Sequence, residues 1–203
     1  MSTAAHWNEA YARGEHTRSW YQSRADMSLQ LFDELGVEPQ HSVVDVGGGA
    51  SPLVDELLDR GHRTVCVLDV AESGVHIARQ RLGGAADTVQ WVIADVLDWR
   101  PARRFDVWHD RAAFHFLADP EDRERYRRVL AAATAPDAVA VLATFAPDGP
   151  RICSGLPVLR WDAGSLAAEL APEWELVSQA HVPHITPAGA VQPFTWTAFK
   201  RRG

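Results

Sequence analysis

Apolar positions along this chain follow two rhythms. Short runs at 42–46 ("SVVDV"), 64–70 ("TVCVLDV"), 88–96 ("TVQWVIADV"), 104–110 ("RFDVWHD") and 139–145 ("VAVLATF") have the length of strands. Between them the apolar residues take helical spacing. Over 23–35, Met27, Leu31, Phe32 and Leu35 share one face, with Gly36 as the stop and Pro39 beyond it. At 51–61, Ser51 suits the N-cap, Pro52 the first helical position and Gly61 the C-terminal stop. A further helix is expected over 71–82, and another over 119–134, with Asp119 as N-cap and Pro120 at its first position.

Strands alternating with amphipathic helices predict an α/β chain with a largely parallel sheet. A short helix near 163–170 follows the fifth strand. The half-alternating segments "WELVSQAHV" at 174–182 and "QPFTWTAFK" at 192–200 then predict a terminal antiparallel pair, seven strands in all. With 203 residues, no repeat and no linker-like tract, the reading is one domain over 1–203.

Charge narrows the partners. The net charge is −7, and the densest basic run, "DRERYRRVL" at 122–130, reads as the solvated face of a helix. Tyr126, Val129, Leu130 and Ala133 would bury the opposite face. No basic stripe marks a nucleic-acid binder. Two cysteines, Cys66 and Cys153, form no zinc-ribbon framework. No signal-peptide pattern or bilayer-length apolar run occurs, so a cytoplasmic setting away from the membrane is expected.

The strongest chemical signal is "VVDVGGGAS" at 43–51, a strand running through a glycine-rich turn into a helix. Such a turn lets a ligand approach the backbone, and its glycines are entropically costly for a turn alone. Asp45 precedes the turn, Asp69 ends the second strand and Asp95 the third, so three carboxylates reach one sheet edge. Ligands of open α/β sheets bind outside that edge, and an acid like Asp69 can accept ribose hydroxyls. A nicotinamide fingerprint fails because Pro52 holds its last glycine position and no tyrosine is followed four residues later by lysine. A P-loop fails for want of Gly-Lys-Ser/Thr.

On these residues the chain resembles the class I S-adenosylmethionine (SAM)-dependent methyltransferases over essentially its whole length. "VVDVGGGAS" looks like their first motif, with Ser51 in place of the common final glycine, and "IADV" at 93–96 like their adenine motif. The resemblance implies a Rossmann-like, mostly parallel seven-stranded sheet with helices on both faces and SAM as cofactor. Asp45 and Gly47, Gly48 and Gly49 would then line its methionine part, Asp69 its ribose, and Asp95 and Val96 its adenine, with Val70 also cofactor-binding. The leader "HWNEAYARGEHTRSWYQ" at 6–22 is similar to that of eukaryotic enzymes methylating lysines in a translation elongation factor and in citrate synthase. Within the leader, 1–22, Trp7, Tyr11 and Trp20 would either fold over the cofactor and exclude water or simply pack a helix; Trp20 is taken as cofactor-binding.

The stretch "WHDRAAFHF" at 108–116 ends the fourth strand at the same edge. His109 and Asp110 are the candidates to accept a proton or orient an amine, and Arg111 suggests an anionic acceptor or a partner for Asp110. A metal site is disfavoured because neighbours on a strand face opposite ways. His115 and, from the loop-like segment 146–157, Cys153 join Arg111 as acceptor-binding candidates, while Phe114 and Phe116 suit packing. The expectation is methyl transfer to a small molecule, with a protein lysine as the alternative acceptor and a non-enzymatic SAM binder as the third. The protein is expected to act as monomer or homodimer.

Overall fold

A computed structural model of the chain describes residues 4–14 and 17–203. Residues 1–3 and 15–16 of the expected leader lie outside the described residues. β1 (Val43–Val46), β2 (Val65–Asp69), β3 (Gln90–Ile93), β4 (Phe105–Arg111) and β5 (Thr134–Phe145) are parallel, and β8 (Trp174–Ile185) and β9 (Val191–Arg201) complete the sheet. Its order is β3-β2-β1-β4-β5-β9-β8, with β9 antiparallel to both neighbours. This is the mostly parallel seven-stranded sheet expected, ending in the expected antiparallel pair. The chain leaves β1 toward β2 on one side and returns as β4 on the other. Their carboxyl ends therefore bound the crevice at which such sheets take ligands.

The pleat sorts side chains to two cores. Val43, Val67 and Val107 face α2 (Asp26–Glu34) and α3 (Leu53–Asp59). Val44, Leu68 and Trp108 face α5 (Pro120–Ala133) and α6 (Ala163–Leu170). α5 buries Tyr126, Val129, Leu130 and Ala133, and Asp119 caps it by accepting the Glu121 amide at 2.9 Å. α1 (Ala4–Ala12) lies on α4 (Glu72–Leu82), where Asn8 Oδ1 accepts the Ser73 amide at 2.9 Å and the Ser73 hydroxyl at 2.7 Å. Among the described residues, no helix is long and apolar enough to cross a membrane.

Boundaries differ where side chains compete with the ladder. The third strand stops at Ile93, short of the expected Val96, because Asp95 Oδ1 accepts the Leu97 amide at 2.9 Å and turns the chain. Helix α3 begins at Leu53, one residue beyond Pro52, although the Ser51 hydroxyl still accepts the Leu53 amide at 3.2 Å. The segment 146–157, read as a loop, holds a small hairpin of β6 (Ile152–Cys153) and β7 (Leu156–Pro157). Ser154 and Gly155 turn it with φ of 52° and 78°, the handedness that two-residue hairpin turns require.

A buried chain of hydrogen bonds fixes the end of β4. Trp108 Nε1 donates to the Tyr126 hydroxyl at 2.8 Å, which donates to Asp110 Oδ2 at 2.6 Å. Asp110 Oδ1 accepts the Ala113 and Phe114 amides at 2.8 and 3.2 Å. Burial lifts the Asp110 carboxyl to about 6 even against these donors. Tyr126→Phe leaves the Trp108 N–H and Asp110 Oδ2 unmatched and is expected to lower stability by about 2–4 kcal/mol. The hydroxyl favours the ionised carboxylate, so the loss in urea unfolding should be larger at pH 8 than at pH 5. An equal loss at both would remove the carboxylate from the account.

Candidate functional site

Above the carboxyl ends of β1, β2 and β4 opens a cleft of about 860 Å³, its mouth included. One wall is formed by Gly47, Asp69, Val70, Asp95 and Val96, the other by Arg111, Ala112, Ala113, Phe116, Leu117 and Cys153. Trp7, Tyr11 and Trp20 roof it. A smaller chamber lies between Asp45, Gly47 and Gly48 below and Arg18, Tyr21 and Gln22 of the leader. Tyr11, Trp20, Gly47 and Arg111 border both spaces.

The glycine turn is shaped by close approach. A Cβ on Gly48 would come within 2.5 Å of Asp45 Oδ2, and one on Gly49 would overlap the Tyr11 hydroxyl. Gly49 is thus covered by Tyr11 and, unlike Gly47 and Gly48, is not brought to either space. Across the Tyr11 ring, a Cβ on Gly74 of α4 would lie 2.7 Å away. Glycine in a helix interior costs about 0.5–1 kcal/mol relative to alanine. Here that cost makes room for an aromatic ring from the leader. Burial, then the Asp69 charge, pushes the Tyr11 phenol well above its ordinary value, so it stays protonated.

Asp69 is buried and accepts the Ala71 amide at 2.7 Å. Desolvation is the largest influence on it and lifts it to about 7, with Asp45 adding and the amides of Ala71, Val70 and Gly49 opposing. Asp45 Oδ1 takes a bond from His109 Nδ1 at 2.7 Å, while Asp45 Oδ2 has no partner. A buried carboxylate oxygen left open beside a cavity is a ready acceptor for a cationic or N–H donor.

The two residues expected to do chemistry are held elsewhere. His109 faces α2, its Nε2 2.9 Å from the Ser28 hydroxyl and its Nδ1 on Asp45. Since a carboxylate only accepts, Nδ1 donates there and, in the neutral ring, Nε2 accepts from Ser28. Asp110 faces α5 and is saturated by Tyr126 and two backbone amides. Neither lines the main cleft; His109 borders only the small chamber, and Asp110 neither space. Opposite facing of strand neighbours accounts for this. Among the described residues no cluster of histidine, cysteine and carboxylate could hold a metal ion.

His115, expected at the acceptor, is also withdrawn. It meets Phe116 edge to face and lies tilted against Phe145, accepts the Phe145 amide through Nδ1 at 3.3 Å and borders neither space. Burial, with Arg111 adding, drops it to about 3, so it is neutral. Phe116, expected to pack, instead lines the cleft and meets Trp7 edge to face at 5.0 Å. Cys153 lines the cleft from β6, with its thiol raised by burial. Arg111 reaches both spaces. The sequence reading did not single out Arg18, which is 3% exposed with Nη1 unpartnered and its guanidinium 5.1 Å from the Tyr11 ring centre. Its signal was position, beside the leader's aromatics.

No curated protein sequence matches the chain. Three solved structures illustrate the fold. The 1,6-didemethyltoxoflavin-N1-methyltransferase of Burkholderia thailandensis, solved with its namesake compound and S-adenosylhomocysteine, shares 23% identity at a TM-score of 0.75, over 98% of this chain and 89% of that one. The N-methyltransferase NodS of Bradyrhizobium japonicum, with S-adenosylhomocysteine, shares 14% at 0.72, over 100% of both chains. A SAM-dependent methyltransferase of Anabaena variabilis shares 17% at 0.70, over 100% and 96%. At these identities they establish the Rossmann-like fold. A family described as a methyltransferase domain matches residues 43–137, from β1 into the start of β5.

Proposed function

We propose that the protein moves the methyl group of SAM to a small-molecule nucleophile by in-line displacement. The observation that carries the reading is the unpartnered Asp45 Oδ2 beside the glycine turn, in a chamber that shares Tyr11, Trp20, Gly47 and Arg111 with a cleft bearing Asp69 and Asp95. When bound, SAM supplies an electrophilic methyl group on a sulfonium. On this reading Asp45 Oδ2 accepts the cofactor's ammonium and Arg18 Nη1 pairs with its carboxylate. Asp69 accepts the ribose hydroxyls and Asp95 the adenine amine, with Val70 and Val96 against the rings. Gly47 and Gly48 let the chain approach closely. Trp7, Tyr11 and Trp20 exclude water and hold the reacting groups in line, which needs no dedicated base. His109 and Asp110 act as positioning residues, one fixing Asp45 and the other the turn into Ala113.

The names of the solved neighbours favour a small acceptor, since the Burkholderia enzyme was solved with its small heterocyclic namesake. A protein lysine would bring an ammonium to a wall whose charged group is Arg111. Like charges there oppose it.

Asp69→Asn tests the cofactor assignment. Calorimetry should show SAM affinity falling about 10- to 100-fold, the worth of charge-assisted hydrogen bonds. Ribose hydroxyls bind the ionised carboxylate, and Asp69 titrates near 7, so the parent's affinity should tighten as pH rises from 6 to 8. The variant should show no such rise, and retention of it would sink the assignment.

Gly74→Ala tests the roof. The new methyl displaces Tyr11, so SAM should bind several-fold more weakly while urea stability stays within about 1 kcal/mol, helix propensity offsetting lost packing. Unchanged affinity would reduce the leader to a packing element.

A further inference from the structure

Arg111 is a half-buried cation with no carboxylate in ion-pair contact, Asp45 acting on it only at longer range. It is the sole cation lining the main cleft among the described residues. Its one hydrogen bond there runs from Nη1 to the Trp20 carbonyl oxygen at 2.9 Å, while Nε and Nη2 are shielded from solvent and have no partner. Its guanidinium lies 5.3 Å from the ring centre of Phe194, which neutralises no charge. Desolvation lowers it to about 10, still charged at neutral pH. Two shielded guanidinium donors left unpaired in this way are costly in a fold without a ligand to meet them. The rest of its wall is Ala112, Ala113, Phe116, Leu117 and the protonated Cys153 thiol, with no carboxylate and no free imidazole to remove a proton.

We propose that Arg111 is the acceptor-binding residue and that the acceptor is a small aromatic anion, ionised on the atom that is methylated or in conjugation with it. This rests on the methyltransferase reading above and names its substrate class. The anion's lone pair forms the bond to the methyl carbon as the carbon–sulfur bond breaks. That bond's electron pair returns to sulfur, the sulfonium becomes a neutral thioether, and the anion becomes a neutral methylated product. No proton moves, so the missing base is not needed. The guanidinium also lowers the pKa of a bound phenol or thiol, selecting its conjugate base.

The test titrates the full chain, saturated with S-adenosylhomocysteine, with 4-nitrophenol, 4-nitrothiophenol and benzoate, and with benzylamine as the cationic counterpart. Absorbance reports the ionisation of the nitro compounds and calorimetry the affinities. The parent should bind at least one anion at least tenfold more tightly than benzylamine, and should ionise a bound nitro compound at lower pH than in water. Arg111→Met should lose at least tenfold in anion affinity while SAM affinity changes less than threefold, and Arg111→Lys should recover part of the loss. No anion preference in the parent overturns the proposal, as does an unaltered Arg111→Met. Equal loss of SAM and anion binding overturns it too, because Arg111 would then serve the cofactor carboxylate or the leader through Trp20. Failure of the parent to bind SAM at all would instead reject the methyltransferase reading.

Discussion

Everything at the mouth of this sheet depends on how the end of β4 is tied down. The pleat sends His109 to one face and Asp110 to the other, and each meets a buried partner from a different helix. On the α2 side, Ser28, His109 and Asp45 lock β4 to β1 in register. On the α5 side, Trp108, Tyr126 and Asp110 hold the amides of Ala113 and Phe114. Between them the chain turns through Ala112 at a φ of 71°, a conformation costly for any residue with a side chain. That turn delivers Arg111, Ala112, Ala113 and Phe116 to one wall of the cleft. The α5-side network, in which both Asp110 oxygens are partnered, rigidifies this end of the strand.

The roof rests on a different physical device. Tyr11 is seated between two positions where any Cβ would collide with it, Gly49 in the turn and Gly74 in a helix. Trp7 and Trp20 meet edge to face at 5.7 Å and extend the aromatic layer across the opening. Asn8 pins the leader helix to Ser73, and His184 Nε2 lies 2.7 Å from the Ser19 carbonyl oxygen on the far side. The leader is thus held by polar contacts on either side of the aromatic layer that Tyr11, Trp7 and Trp20 form.

Much of the fold was legible because parallel strands and amphipathic helices carry strong local patterns. The glycine turn and the acids at three strand ends stood out for the same reason: their positions follow from the local element alone. What was not legible were side-chain partners distant in sequence. Ser28 lies 81 residues from His109, and Tyr126 lies 16 from Asp110. A histidine beside an aspartate reads as chemistry until such partners claim them. Phe116 misled in the opposite sense, because a short helical turn swings it outward while His115 goes inward. The helix-interior Gly74 was a signal in plain view, since its cost demands a neighbour, but nothing local says that the neighbour is Tyr11.

The charges lining the cleft divide by side. Carboxylates sit at the end of β2 and just past β3, and a guanidinium sits at the end of β4. A cationic sulfonium is favoured on the first side and an anion on the second, so the field across a largely apolar, roofed space brings opposite charges together. On the reading proposed here, transfer cancels both charges, leaving a neutral thioether and a neutral product in a site arranged for ions. The same field that draws the reactants in therefore holds the products less tightly. Release then follows from the electrostatics that govern binding, without a separate device to eject the product.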